Sequence, residues 1–148
     1  EAMPINPESK LQIACVKLFD LLYPNSHGRL FMNHNNPNSA RQGVLLVKMG
    51  MVAGVADMTL LGDRGIIFIE LKTPKGKQSE TQKQWQQICE TAGYQYRIIR
   101  SVKQFYELLT TNLRPVNTTG SINGARTCEQ SAQKLNRLPR KTSKRAGP

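Results

Sequence analysis

The sequence predicts one α/β domain in which a central mixed β-sheet is flanked by helices. Three segments carry apolar residues at helical spacing behind polar capping residues. Between the first two of them lies a pair of apolar runs joined by a short turn, as in a β-hairpin, and another short apolar run precedes the last helical segment. With 148 residues the chain is long enough for one domain with one core. This mixture of helices and strands is typical of α/β proteins.

The first predicted helix covers residues 7 to 22. Asn6 is a typical N-cap, and Pro7 suits the first helical position. Glu8 lies in the first turn, where an acidic side chain complements the helix dipole, and the sequence alone favours that structural role. The apolar residues that recur at helical spacing are Leu11, Ala14, Cys15, Leu18, Leu21 and Leu22.

Residues 24 to 42 are rich in Asn, Ser, Pro and Gly and are predicted to be mostly loop. A short apolar patch in this segment predicts an edge strand over residues 29 to 33. Both histidines, His27 and His34, lie here, and their spacing gives little reason to assign them a metal or catalytic role. Residues 44 to 51 fit a short helix or a strand, and periodicity does not choose between the two.

The predicted hairpin covers residues 57 to 72 and places two carboxylates opposite each other. Symmetric pairing about its central turn sets Asp57 opposite Glu70. Because side chains alternate along a strand, Glu70 and Lys72 share one face. Like charges about 5 Å apart across a strand pair repel each other unless a cation lies between them. A single bulge would turn Asp57 to the opposite face, so the register is the critical assumption.

Two more helices and one strand complete the predicted domain. Ser79 and Gln82 form the S-x-x-Q pattern of a capping box, and the helix that follows is closed by Gly93. Capping therefore explains Gln82 structurally. Residues 94 to 100 are predicted to form a strand, and Ser101 is predicted to cap the last helix.

The predicted domain spans residues 4 to 113, and a tail of different composition follows it. Residues 114 to 148 hold few large apolar residues and eight Lys or Arg against Glu129 alone, a net charge of +7, which predicts disorder. The whole chain has a formal net charge of +11 and a sequence pI near 10.0, which suits a polyanionic partner such as nucleic acid. The tail could add phosphate contacts or only solubilise the protein, and the sequence leaves both open.

Several protein classes are disfavoured by the sequence. No window approaches about 18 uninterrupted apolar residues, and the amino-terminal residues lack a basic-then-apolar signal pattern, so we expect a soluble intracellular protein. The three cysteines, Cys15, Cys89 and Cys128, are odd in number and form no CxxC pair, which argues against a disulfide framework or a cysteine zinc site. Cys15 and Cys89 occupy apolar helix positions and are expected to be small buried residues.

Asp57, Glu70 and Lys72 are the strongest candidates for a catalytic site. Hydrolysis of a phosphodiester near neutral pH needs a hard divalent cation held by oxygen ligands. The two carboxylates can supply such oxygens, and the strand places the backbone carbonyl of Leu71 to supply another. Lys72 can orient the attacking water or stabilise negative charge that grows on the phosphate. The spacing alone slightly favours an ordinary Glu-x-Lys pair of solvated charges at a strand end.

These residues resemble the signature of the PD-(D/E)xK nucleases and, in finer detail, that of the VRR-NUC (virus-type replication-repair nuclease) domain in its stand-alone form from phages and bacteria. The resemblance covers about residues 8 to 110 and departs at Ala56, where the family has a proline that shapes the start of the strand and is not a ligand. The residues that carry it are Glu8, Gln12, an Asn-containing loop at Asn33–Asn38, Gly50, Gly54-Val55-Ala56-Asp57, Ile69-Glu70-Leu71-Lys72, Ser79, Gln82 and Gly93-Tyr94.

The resemblance implies a restriction-endonuclease-like core and cleavage of DNA that depends on Mg²⁺ or Mn²⁺, without an organic cofactor. It also implies a role for each site residue. The implied metal ligands are Asp57, Glu70, the backbone carbonyl of Leu71 and, at or near the metal, Glu8, with Lys72 as the catalytic lysine and Gln82 as a site-lining residue.

The resemblance further implies a homodimer that cuts branched DNA such as Holliday junctions, in the cytoplasm of a bacterial or phage-infected cell. A two-fold dimer suits a four-way junction because two symmetric strands need two cuts. Two alternatives stay open. One is a catalytically inactive nucleic-acid-binding protein that keeps the fold, and the other is a nuclease that acts on flap or linear DNA.

Overall fold

The computed structural model describes residues 5–33 and 40–114, and within these residues four helices flank one four-stranded sheet. The elements in chain order are α1 (Pro7–Leu22), β1 (Leu30–Met32), α2 (Ala40–Lys48), β2 (Met58–Gly62), β3 (Gly65–Leu71), α3 (Glu80–Thr91), β4 (Gln95–Ile99) and α4 (Val102–Asn112). The strand order is β1-β2-β3-β4; β2 pairs antiparallel with both β1 and β3, and β4 runs parallel to β3. The predicted α/β fold with a mixed sheet flanked by helices is confirmed.

Three helices begin at the capping residues that the sequence predicts. Asn6 Oδ1 accepts a hydrogen bond from the backbone N–H of Ser9 at 2.7 Å, and Ser101 Oγ accepts one at the start of α4. Ser79 and Gln82 form the full capping box of α3. These side chains satisfy backbone N–H groups that have no partner within the helix, which fixes where each helix starts.

The hairpin of β2 and β3 has the predicted register. Its pairs run without a break from Met58 opposite Ile69 to Gly62 opposite Gly65. Asp57 lies one residue before the first of these pairs, so the same register directs it toward Glu70. The bulge that would have separated the two carboxylates is therefore not present in the hairpin.

The two faces of the sheet are covered by different helices. Ile67, Ile69 and Leu71 alternate along β3 and face the main core, to which α1 and α4 contribute. Phe68 of β3 packs with Trp85 of α3 on the opposite face. Glu70 lies on that second face, so its carboxylate is carried into the layer between the sheet and α3.

Both predicted buried cysteines lie in these cores. Cys15 belongs to the main core cluster and Cys89 to the smaller cluster beneath α3, and neither forms a disulfide. Burial raises the pKa of the Cys15 thiol to about 11, because a thiolate there would lose its hydration. Each behaves as a small apolar residue, as the sequence predicts.

The segment that periodicity left open is a helix. α2 begins at Ala40, earlier than the predicted segment, and β1 is the predicted edge strand in a shorter form. No helix in the part of the chain that the structure describes is long and apolar enough to cross a membrane. His34, Cys128 and the predicted basic tail lie outside the described residues, apart from Arg114 at the start of the tail.

Candidate active site

The candidate catalytic residues meet where β2 begins and β3 ends. Asp57 immediately precedes β2, Glu70 is the second-last residue of β3, and Lys72 directly follows that strand. Glu70 is fully buried and Lys72 is 7% exposed, whereas Asp57 is partly exposed. These are therefore not two solvated charges at a strand end, which was the reading that spacing alone slightly favoured.

Asp57 is held by the backbone on both of its sides. Its Oδ2 accepts a hydrogen bond from the N–H of Leu71 at 2.8 Å. Its own carbonyl accepts a bond from the N–H of Asn33, and the Asn33 side chain donates to the carbonyl of Ala56, each at 2.8 Å. Asn33 also accepts a bond from Thr59 Oγ1 at 3.0 Å. Asn33 thus ties the start of β2 to the edge of the sheet and fixes the position of Asp57.

Lys72 lies between two acidic residues. Its Nζ is 2.7 Å from Glu70 Oε1 and 3.9 Å from Glu8 Oε1. The backbone N–H of Lys72 donates to the carbonyl of Ile99 at 3.0 Å, which continues the pairing between β3 and β4. The ammonium is therefore positioned by the sheet itself, and Glu8 lies at the solvent side of the site.

Gln82 combines the capping role with a contact to the site. Its Oε1 accepts the N–H of Ser79 at 2.9 Å, which leaves its Nε2 free to donate to Oε1 of Glu70. The capping box therefore orients the amide so that its donor faces the carboxylate. Sequence reasoning explained only the first of these two bonds.

Gly54 permits α3 to approach the strand that carries Asp57. Its φ is +82°, and a Cβ at this position would collide with the backbone carbonyl group of Thr81 in the first turn of α3. Only glycine suits both the positive φ and this close contact. The short distance between the loop and the helix brings Gln82 within reach of Glu70.

Burial and a neighbouring negative charge both disfavour the charged forms of Asp57 and Glu70. Burial raises the pKa of Asp57 against the opposing effects of the Leu71 N–H and the Lys72 ammonium, and the charge of Glu8 adds to the rise. Burial also raises the pKa of Glu70. The contact with Lys72 lowers this pKa, and the negative charge of Asp57 raises it. Among the residues that the structure describes, the Lys72 ammonium faces the carboxylates of Glu8, Asp57 and Glu70, so acidic groups outnumber basic ones at the site.

The donor set fits a hard divalent cation, although no three His, Cys, Asp or Glu side chains among the described residues form a ready-made metal cluster. Mg²⁺ is commonly held by one or two carboxylates, with water and substrate phosphate as its other ligands. The N–H of Leu71 points to Asp57, and the N–H and C=O of a strand residue point to the same side, so the Leu71 carbonyl faces Asp57 as well. A cation between these groups would offset the surplus charge.

A cleft of about 300 Å³ lies beside the site. Gln12, Asn33, Asp57 and Gln82 are among the residues that line it. A larger cavity of about 500 Å³ borders β4 and α4, but none of the candidate site residues lines it. The smaller cleft, which Asp57 and Gln82 line, is therefore the one that belongs to the candidate site.

Two residues near Glu70 were not found by sequence reasoning. Tyr96 Oη lies 3.3 Å from Glu70 Oε2, and Gln78 Nε2 lies 3.4 Å from Tyr96 Oη. Tyr96 lies between the polar residues Gln95 and Arg97 on β4 and looks like an ordinary core aromatic in the sequence. The predicted strand pattern could have placed it on a buried face but not beside a carboxylate. His27 is exposed in the turn before β1.

Two solved structures are similar to this chain. One, described as a VRR_NUC domain protein, has a TM-score of 0.58 at 15% sequence identity and covers 74% of this chain and 90% of its own. The other, described as a VRR_NUC domain, has a TM-score of 0.48 at 19% identity, with coverages of 71% and 96%. At these identities the first likeness supports the fold. No curated protein matches the chain.

The sequence model of the VRR-NUC domain matches residues 8–103. The matched segment runs from the first turn of α1 to the start of α4 and includes Asp57, Glu70, Lys72 and Gln82. It covers well over half of the chain. The protein therefore belongs to the VRR-NUC domain family.

Proposed function

We propose that this protein is a metal-dependent endonuclease that hydrolyses the phosphodiester bonds of DNA. Membership of the VRR-NUC family implies a nuclease-type fold and a DNA substrate. The observation that carries the proposal is the meeting of Asp57, Glu70 and Lys72 at the ends of two paired strands, beside a cleft. Such an arrangement of oxygen ligands and one lysine suits the hydrolysis of a phosphate ester.

Asp57, Glu70 and the carbonyl of Leu71 are the groups that would hold Mg²⁺ or Mn²⁺. A divalent ion, when bound, polarises a phosphate oxygen and makes a nearby water more acidic. The chain's own part is to keep these oxygens in place: the Leu71 N–H fixes Asp57, and Gln82 fixes Glu70. Glu8 lies at the periphery, where its carboxylate attracts the Lys72 ammonium.

Lys72 is the residue to which we assign the catalytic role. Its ammonium offers three hydrogen-bond donors, of which Glu70 engages one at 2.7 Å. The others can orient an attacking water and stabilise the negative charge that develops on the phosphate. Because the Lys72 side chain is almost completely shielded from solvent, water screens its charge little at short range.

The loop after Lys72 supports DNA as the substrate. Arg100 Nη1 donates to the carbonyl of Thr73 at 2.6 Å and to that of Gly76 at 2.8 Å, which braces this loop. The loop carries Lys75 and Lys77, both exposed. Lysines beside a catalytic centre fit the phosphates of a DNA backbone, and we assign them and the basic tail to sequence-independent binding inside the cell.

We further propose that the protein acts on branched DNA as a homodimer, with α2 in the interface. The exposed apolar residues Val44, Leu45, Val47 and Met49 are between 56% and 73% exposed. A cluster of this kind marks an interaction surface. A second copy is the partner that suits it, because a two-fold dimer supplies the two related cuts that a four-way junction requires.

Leu45→Glu tests the dimer. The variant is expected to sediment as a monomer where the parent sediments as a dimer, because a buried unpaired carboxylate at an apolar interface is costly. Leu21→Glu is the matched control, since Leu21 is an equally apolar residue of α1 that is 76% exposed. A monomeric parent, or a dimer that survives Leu45→Glu, would contradict this interface.

The central experiment compares cleavage of four-way junctions, flaps and linear duplexes by the purified protein. We expect nicking with Mg²⁺ or Mn²⁺, none in EDTA, and faster cleavage of the four-way junction than of a linear duplex of the same sequence. A preference for flaps or linear DNA would contradict the proposed substrate but leave the proposed nuclease activity intact. Binding without cleavage on every substrate would favour an inactive nucleic-acid-binding protein.

A further inference from the structure

Both oxygens of the Glu70 carboxylate have donors of their own. Lys72 and Gln82 contact Oε1, and the hydroxyl of Tyr96 lies 3.3 Å from Oε2. Glu70 has no exposed surface, so solvent does not orient its carboxylate. Lys72 and Gln82 both contact Oε1, and among the described residues Tyr96 is the donor that restrains Oε2.

The hydrogen-bond direction through Tyr96 is fixed by Gln78. An amide nitrogen can only donate, so the phenol oxygen accepts from Gln78 Nε2 and the single phenol hydrogen is left for Glu70. The same nitrogen of Gln78 donates to Gln86 Oε1 at 2.9 Å, which anchors it on α3. The chain of bonds thus runs from α3 through Tyr96 to Glu70.

The ring of Tyr96 is itself held rigidly. Tyr96 is 3% exposed and pairs with Phe68 in the parallel ladder between β3 and β4. Its ring packs against Trp85, with ring centroids 5.9 Å apart. Since packing and backbone pairing fix the ring, the hydroxyl meets Glu70 in one position.

We propose that Tyr96, oriented by Gln78, is a positioning residue that fixes the carboxylate plane of Glu70 for metal binding. This inference rests on the function proposed above. The terminal torsion of a glutamate is broad and roughly two-fold, so donors on one oxygen alone leave the plane of the group poorly defined. Tyr96 removes that freedom before the ion and the DNA arrive, which lowers the cost of organising the site.

Tyr96→Phe is the test, because it keeps the ring and removes only the hydroxyl. Loss of such a supporting partner lowers metal affinity or activity by about 10-fold to 100-fold. We expect calorimetric titration of EDTA-stripped protein with Mn²⁺ to show weaker binding of this size. The kcat for DNA cleavage falls as well, whereas the KM for DNA stays near that of the parent.

Tyr94→Phe is the matched control. Tyr94 is 46% exposed, and its ring also packs on Phe68, at a centroid distance of 6.0 Å. This variant is expected to bind Mn²⁺ and to cleave DNA as the parent does. Gln78→Ala is expected to weaken Mn²⁺ binding less than Tyr96→Phe does, because the hydroxyl remains but is free to rotate.

Parent-like Mn²⁺ binding by Tyr96→Phe, in a protein that cleaves DNA, would overturn this inference and leave the proposed function intact. A parent that neither binds Mn²⁺ nor cleaves would overturn both. Parent-like binding by Gln78→Ala would overturn the part that concerns Gln78. Thermal melting of each variant without metal shows whether a weaker titration reflects a loss of fold.

Discussion

Lys72→Ala is expected to reduce the rate of DNA cleavage severely while DNA binding survives. The change removes the ammonium that lies 2.7 Å from Glu70 and 3.9 Å from Glu8. Loss of one well-placed donor to a developing negative charge costs about 10²-fold to 10³-fold in rate. Binding is expected to persist because most of the positive charge of the chain lies elsewhere, with 20 other Lys or Arg residues among the 21 in the sequence.

The fold is expected to survive this change with a lower melting temperature. Removal of one partner from a buried ion pair is destabilising, but Glu70 keeps Gln82 and Tyr96 as donors. Single-turnover cleavage of the preferred substrate with Mn²⁺ measures the loss, and gel-shift titration in EDTA measures binding. Glu70→Ala is expected to give the same loss of cleavage.

Lys83→Ala is the control that separates the effect of the position of Lys72 from the effect of losing one positive charge. Lys83 is an exposed residue of α3 that pairs with Glu80 at 2.7 Å, and its replacement changes the net charge by the same amount. This variant is expected to cleave DNA at the parental rate. If Lys72→Ala cleaves as fast as Lys83→Ala, Lys72 has no catalytic role.

The parts of the site that follow from local rules could be predicted from the sequence. Turn length and side-chain alternation determine which residues of a hairpin face each other. The pairs formed by Met58 to Gly62 are those expected for symmetric pairing about the central turn. Capping patterns likewise locate the starts of α1, α3 and α4. The position of Asp57 opposite Glu70 could therefore be predicted from the sequence alone.

The remaining features depend on contacts between segments that are distant in the chain. Asn33 reaches Ala56, and Tyr96 reaches Glu70 across 26 residues, which no local pattern encodes. The capping role accounted for Gln82 in the sequence, so nothing there indicated its second hydrogen bond, which it donates to Glu70. α2 was left open because its run of Val44, Leu45, Leu46 and Val47 is continuous, with neither helical nor strand periodicity.

The negative charge on Asp57 affects both the stability of the fold and the proposed binding of the metal ion. Burial holds the pKa of Asp57 above its ordinary value. A carboxyl group whose pKa is higher in the folded state than in the unfolded state stabilises the fold only while it is protonated, and that contribution is lost as the pH rises through the folded pKa. At neutral pH the charge on Asp57 therefore weakens the metal-free fold. The same charge is what would bind the ion.

Asp57→Asn is accordingly expected to lose cleavage without losing stability. The asparagine carbonyl can accept the hydrogen bond from Leu71 in place of Oδ2, and the repulsion between Asp57 and Glu70 disappears. Loss of a metal ligand removes several kcal/mol of transition-state stabilisation, and about 4 kcal/mol corresponds to roughly 10³-fold in rate. In EDTA at neutral pH the variant is expected to melt at the parental temperature or above it, and this difference narrows as the pH falls.

Mn²⁺ is expected to raise the melting temperature of the parent and not that of Asp57→Asn, because an ion that binds only the folded state stabilises it by mass action. Asp20→Asn is the control, since Asp20 is exposed on α1 and carries the same charge. That variant is expected to keep both the Mn²⁺ effect and the cleavage rate. An Asp57→Asn protein that gains stability from Mn²⁺ as the parent does would exclude Asp57 as a metal ligand. A metal-free variant that melts well below the parent would show that the charge of Asp57 supports the fold instead of weakening it.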